Sequence, residues 1–191
     1  PVHTLMPGLN KRLLEHVPNP DRLRRIHCLL TARMQDAELK GARLGCEAVR
    51  RIALEHAGDV SLRPRLVLRG FSPESQEAEF SPIGRFEDFR GHIEGRAYTE
   101  DSSEIYRDIR ESSLVVMPSL SEGFGLTAYE AIAAGVPVIV SVESGLAEYL
   151  LSAGEHGRID PSIAELCVAQ VLGDNAQVVA DWVERISHIF A

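Results

Sequence analysis

Three cysteines in 191 residues are too few and too scattered for a disulfide framework. Cys28, Cys46 and Cys167 show no paired spacing, so buried thiols in a reducing, cytoplasmic setting are expected. The seven histidines include no H-x-x-x-H and no His/Cys grouping, which removes the usual signature of a zinc site. No apolar run approaches the ~20 residues of a membrane span, and no signal-peptide pattern opens the chain. Positive charge is also short. Twenty Lys and Arg against 28 Asp and Glu leave a net charge of −8, which argues against a general nucleic-acid or anionic-membrane surface. A local anion pocket stays compatible with that balance. No internal repeat and no low-complexity segment is found, and the chain begins at Pro1 rather than Met, so a piece of a longer protein is expected. What remains is an ordinary globular composition, 45% apolar and 25% charged, in a length that fits one domain with a sizeable core.

The most informative stretch is residues 113–148, SLVVMPSLSEGFGLTAYEAIAAGVPVIVSVESGLAE. Residues 113–117 are a short apolar run rich in Val, as in a strand buried on both faces. Pro118 stops it, and residues 119–125 form a loop of serine and glycine with one carboxylate, Glu122. Residues 126–134 read as a helix, punctuated by Gly135 and Pro137. A second buried strand over 137–140 and a second helix over 145–151 follow. Two strands joined by a helical crossover imply a parallel pair, and ligands sit beyond the carboxyl ends of such strands. Glu122, Gly123, Phe124 and Gly125 fall there. GFGLTA also fits the loose dinucleotide fingerprint G-x-G-x-x-[GA], but residues 118–122 intervene after the strand, which weakens that reading.

Glu122 and Glu130, with GFGLTAY between them, resemble the E-x7-E motif of group 1 (family 4) retaining glycosyltransferases of the GT-B fold, and the likeness continues through EAIAAGVPVIVS to SGLAE. The chemistry agrees with the resemblance. Glycines admit close approach of a ligand to the backbone, and the amides opening the helix at Leu126 suit oxygen-rich anions. A carboxylate at Glu130 can accept from two adjacent hydroxyls of a sugar ring.

Earlier in the chain, residues 26–32 (IHCLLTA) are the first convincing strand, with Arg33 at its carboxyl end. A loop over 34–38 leads to Lys40-Gly41 and a long helix reaching about Ala57, with an apolar stripe of Ala42, Cys46, Val49 and Ala53. Two cations beside a helix N-terminus make a phosphate site. ARMQDAELKG is similar to the Arg…Lys-Gly segment with which the family grips a donor diphosphate, although the Arg33 to Lys40 gap is slightly longer here. Residues 65–69 are a second strand ended by Gly70, where the family often carries a glycine-x-glycine turn and this chain has Arg69-Gly70-Phe71. A helix near 83–89, a strand over 92–98 and an amphipathic helix over 102–112 come next. The resemblance places the nucleobase against the backbone near residues 96–99, including Tyr98 and Thr99.

Towards the C-terminus, a short edge strand is expected over 156–159. Asp160-Pro161 opens a helix to Leu172 that buries Ile163, Leu166 and Cys167, with Gly173 as its stop. A last helix over 175–190 carries Val178, Trp182 and Ile186 at a four-residue repeat. Trp182, the single tryptophan, reads as a packing anchor, and its face is expected to be partly exposed in a fragment.

The expected fold is α/β, a Rossmann-like parallel sheet of about six strands with helices on both faces, one half of a GT-B fold. Residues 1–25, with a short helical piece near 10–16, are expected to be an interdomain linker, and 26–191 the donor-binding domain. The resemblance implies retaining, metal-independent transfer from a nucleotide-diphosphate sugar, with no other cofactor. Arg33, Lys40 and Glu122 carry the catalytic roles. Gly123, Phe124, Gly125, Leu126, Glu130, Tyr98 and Thr99 hold the donor. No D-x-D pair that would hold a metal follows a strand. The implied partners are the nucleotide sugar, an acceptor and an N-terminal Rossmann-like domain, without which the fragment is expected to be inactive. Two alternatives stay open: a nucleotide-sugar epimerase on the same fold, and a non-catalytic nucleotide-binding module.

Overall fold

Continuous apolar runs along short strands call for a sheet covered on both faces, and the structure, a computed structural model describing residues 7–15, 25–56, 64–72 and 91–191, has that form. Among the described residues six strands form one sheet: β1 (His27–Thr31), β2 (Arg65–Phe71), β3 (Ile93–Ala97), β4 (Leu114–Met117), β5 (Val138–Ser141) and β6 (Val168–Ala169). Their order is β3-β2-β1-β4-β5-β6, and every pairing is parallel. The helices are α1 (Lys11–Leu14), α2 (Ala42–Glu55), α3 (Ser102–Glu111), α4 (Leu126–Ala133), α5 (Gly145–Glu155), α6 (Pro161–Cys167) and α7 (Asn175–Ile189).

Period-two alternation splits each strand between two cores. Cys28 and Leu30 of β1, Leu66 and Leu68 of β2, and Val116 of β4 pack under α2 and α7. Leu29, Val67, Val115 and Val138 point the other way, under Ile109 of α3, Ala128 and Ala131 of α4, and Leu146 and Leu150 of α5. Leu13 of α1 is buried in this second core, so part of the segment preceding residue 26 packs on the sheet's helical cover. The Val178, Trp182 and Ile186 stripe of α7 is buried rather than partly exposed. Trp182 is 0% exposed, and its indole N–H donates to the Gln170 carbonyl at 2.8 Å.

Several boundaries differ from the sequence expectation. Strand β2 does not end at Gly70. It continues to Phe71 through a register shift, with Gly70 at φ 132°, where a Cβ would lie 1.6 Å from the Ala32 carbonyl oxygen. Residues 34–36 of the predicted loop form a 3-10 turn, and α5 runs four residues beyond Leu151. The edge strand is not at 156–159, where the chain turns through Gly157 at φ 66°. It is β6, at Val168–Ala169, paired with Val140 and Ser141. The predicted helix to Leu172 therefore stops at Cys167, with Ile163 55% exposed, Leu166 and Cys167 only half-buried, and Ala164 buried instead. The helix expected near 83–89 lies outside the described residues, as does His16, the expected end of the first short helical piece.

The strand order reverses between β1 and β4. In a doubly wound sheet this is where the loops leaving adjacent strands diverge and open a crevice. None of the described helices is long and apolar enough to cross a membrane.

Candidate donor site at the sheet's carboxyl edge

The helices around the sheet begin in two different ways. Helices α3, α5, α6 and α7 are capped by side chains: Asp101 accepts from Ser103 N–H, Ser144 from Ala147, Asp160 from Ser162, and Asp174 from Ala176 and Gln177. Helices α2 and α4, which flank the switch point, open on Gly41 and Gly125 in the left-handed region, and neither has a side-chain cap. At α2 the Ala42 amide already donates to the Ala37 carbonyl at 2.9 Å, whereas the amides that follow it, and the first amides of α4, lack an intrahelical acceptor, as helix starts do, and face water or a ligand. Gly41 also meets a steric demand, because a Cβ there would sit 1.9 Å from the Pro118 carbonyl oxygen.

Between these helix starts lies a cleft of about 300 Å³. Arg33, Lys40, Tyr98, Thr99, Glu122, Gly125 and Leu126 from the expected site all line it. Lys40 Nζ donates to Glu122 Oε2 at 2.7 Å, joining residues 82 apart in sequence, and both side chains keep about a quarter of their surface exposed (26% and 21%). The Leu120 amide donates to the Leu39 carbonyl at 2.8 Å and ties the two loops together beside that pair. The Arg33 guanidinium lies 5.5 Å from the centroid of the Tyr98 ring, a cation–π distance.

Three of the expected residues do not line the cleft. Gly123 and Phe124 offer their carbonyls to the amides of Gly145 (3.2 Å) and Leu146 (2.8 Å), and the Glu122 amide donates to Glu143. Together with a Glu122–Ser144 bridge, these bonds fix the motif loop to the start of α5. Phe124 packs edge-on against Tyr129 at 5.3 Å. Glu130, one turn into α4, is half-buried. Burial lifts its pKa above the ordinary carboxylate value, and a hydrogen bond from Tyr106 on α3 opposes that shift.

The structure adds residues that the sequence reading did not assign. Thr31 ends β1 and donates to the Thr127 hydroxyl at 3.0 Å, and both line the cleft. Thr127 lies inside the GFGLTAY run and Thr31 two residues before Arg33, so position alone could have flagged them. Arg69, near the end of β2, lines the cleft as well.

A parallel sheet of this order, with a cleft over its switch point, is the form taken by one half of a GT-B glycosyltransferase. The chain belongs to the GT4-conflict family, the family 4 glycosyltransferases in conflict systems, whose model matches residues 1–191. Solved structures with the same fold include a glycosyltransferase from Rickettsia africae ESF-5 (17% identical, TM-score 0.60, covering 96% of this chain and 45% of that one). WaaG, a glycosyltransferase involved in lipopolysaccharide biosynthesis, is 19% identical with a TM-score of 0.56, over 90% of this chain and 46% of that one. Among curated proteins, D-inositol 3-phosphate glycosyltransferase of Streptomyces coelicolor is 43% identical over 67 residues, 35% of this chain and 14% of that protein. Sucrose synthase of Melioribacter roseus is 40% identical over 63 residues, 32% of this chain and 8% of that protein. The chain thus spans less than half the length of these structures and a small fraction of these curated relatives.

Proposed function

We propose that this domain is the donor-binding half of a retaining glycosyltransferase that takes a nucleoside-diphosphate sugar. The observation that carries this reading is the convergence of Arg33, Lys40 and Glu122 beside two helix starts without side-chain caps. When the bond to the anomeric carbon breaks, negative charge collects on the departing diphosphate, and preorganised cations and amides there lower the barrier. Arg33, Lys40 and the α2 amides are suited to that task, so the leaving group's charge is met by protein cations and no metal is called for. Lys40 carries three donors, so it can hold Glu122 and still reach a phosphate oxygen. Glu122 would take hydroxyls of the transferred sugar, and Glu130 the ribose once it leaves Tyr106. The acceptor would be presented by a second Rossmann-like half, without which this chain binds donor but transfers nothing. The setting is the reducing cytoplasm, where buried Cys28, its pKa pushed up to about 12 by desolvation, stays an inert thiol.

The test is calorimetric titration of the chain with UDP, GDP and ADP and their sugar conjugates, in EDTA and in Mg²⁺. Binding of at least one nucleotide that survives EDTA is expected. Lys40→Ala should weaken it about tenfold to a hundredfold, the worth of a charge-assisted contact. Equal affinities for wild type and Lys40→Ala would remove Lys40 from the site.

A further inference from the structure

Arg69 sits near the carboxyl end of β2 and is 8% exposed, a depth at which a cation persists only when paired. Its Nε donates to Asp108 Oδ2 at 2.6 Å, and its Nη1 donates to the Ala97 carbonyl at 2.9 Å and to Glu104 Oε2 at 3.2 Å. Asp108 is itself fully buried, and its other oxygen accepts from Arg96, which Glu94 braces at 2.7 Å. The guanidinium is therefore held in one plane by β2, β3 and α3. Packing alone does not call for this device, since apolar side chains of similar volume often serve as well as a buried ion pair. Arg69 also lines the cleft, beside Tyr98 and Thr99. Among the described residues its Nη2 has no protein partner, so one donor edge remains for a ligand.

Strand order fixes which part of a ligand that edge would meet. Glu122 follows β4, Arg33 follows β1, and Arg69 lies two residues before the end of β2. A donor laid along this edge with its sugar at Glu122 and its diphosphate at Arg33 and Lys40 brings its nucleoside to β2 and β3, two strand spacings, or about 10 Å, from β4. There the Ala97 carbonyl is already taken by Arg69, and the Tyr98 amide donates to the Phe71 carbonyl at 2.7 Å. Arginine has donors and no acceptor. A carbonyl oxygen on the base satisfies it, whereas adenine places an amino donor at its exocyclic position and offers only ring nitrogens as acceptors.

We propose that Arg69, locked by Asp108, reads the nucleoside end of the donor and selects a base carrying a carbonyl oxygen, uracil or guanine, over adenine. Asp108 is a positioning residue that acts through Arg69. The inference rests on the donor reading above and deepens it. The experiment titrates UDP, GDP, ADP and inorganic pyrophosphate into the chain, into Arg69→Lys, and into the double variant Arg69→Met/Asp108→Asn, which leaves no fully buried carboxylate unpaired, Glu104 being 39% exposed. Wild type is expected to bind the tighter of UDP and GDP about tenfold better than ADP. Both variants should lose most of that ratio while pyrophosphate affinity is unchanged; a merely structural role would lower all four affinities together. ADP bound by wild type as tightly as UDP and GDP overturns the inference whatever the variants do. So does a wild-type ratio retained in both variants. Binding of none of the four ligands overturns the donor reading and this inference with it.

Discussion

At the scale of single residues, Glu122 and Glu130 lie eight positions apart yet occupy different surroundings, one paired with Lys40 at the cleft and the other half-buried against Tyr106. Their roles are therefore separable. Glu130→Gln should weaken a bare nucleoside diphosphate and its sugar conjugate by one common factor, about tenfold. Glu122→Gln should weaken the sugar conjugate alone, and calorimetry with both ligands reads the difference. Equal weakening of both by Glu122→Gln would show the roles misassigned. A second residue sets a pH response. Burial, and next the charge of Arg65, hold the His27 pKa below the ordinary 6.5, against the Glu111 carbonyl. Its Nε2 has no partner among the described residues, so a proton there would be buried unmet. The unfolded imidazole then protonates first as pH falls, so the stability His27 contributes is complete above pH 6.5 and drains away below it, towards the depressed folded pKa. His27→Gln should flatten urea-unfolding stability measured from about pH 7.5 to about pH 5. An unchanged slope would assign the acid loss to other groups. At this scale the sequence was most legible where partners are contiguous, as in EGFGLTAYE. Arg69 and Asp108 were not, because 39 residues separate them and only the β2–β3 register brings Arg69 and Arg96 alongside each other.

At the scale of elements, α3, α5, α6 and α7 begin on Asp or Ser, while α2 and α4, the two at the cleft, begin on left-handed glycines. The geometry of Gly41 makes this testable. An added methyl would meet the Pro118 carbonyl oxygen at 1.9 Å, backbone that cannot swing aside, and φ is 65°. Gly41→Ala should cost roughly 2–4 kcal/mol, from the αL penalty together with overpacking. Gly91, at φ 87° with nothing within 4 Å, isolates the backbone part alone, so Gly91→Ala should cost about 1 kcal/mol. Chemical denaturation of both variants decides, and similar losses would mean that the α2 start yields to the clash. Elements with a strong local signature were legible in the sequence: α6 from Asp160-Pro161, and α4 and β5 from the glycine and proline between them. Strand β6 was not. The run CVAQV keeps a helical pattern, and only pairing with Val140 and Ser141 draws Val168 and Ala169 into the sheet.

At the scale of the whole molecule, the sheet is held between two cores, and α7 closes the first of them over α2. Trp182 is its largest fully buried side chain. Trp182→Ala should cost about 3–5 kcal/mol, read as a lower urea midpoint. A loss below about 1 kcal/mol would mean that α7 is dispensable to the core. The amino-acid sequence by itself determined that this would be a parallel α/β domain with a glycine-rich loop at Glu122 beyond a strand end and an anchoring helix around Trp182. Hydrophobic periodicity, caps and crossover length act over a dozen or so neighbouring residues, and each is written locally. Tertiary structure alone decided the strand order, the meeting of Lys40 with Glu122, the locking of Arg69 by Asp108 and the identity of the last strand. Those features join groups from 23 to 86 residues apart. Their free energy depends on which strands become neighbours once two apolar faces must be buried together, and no local pattern in the chain specifies that.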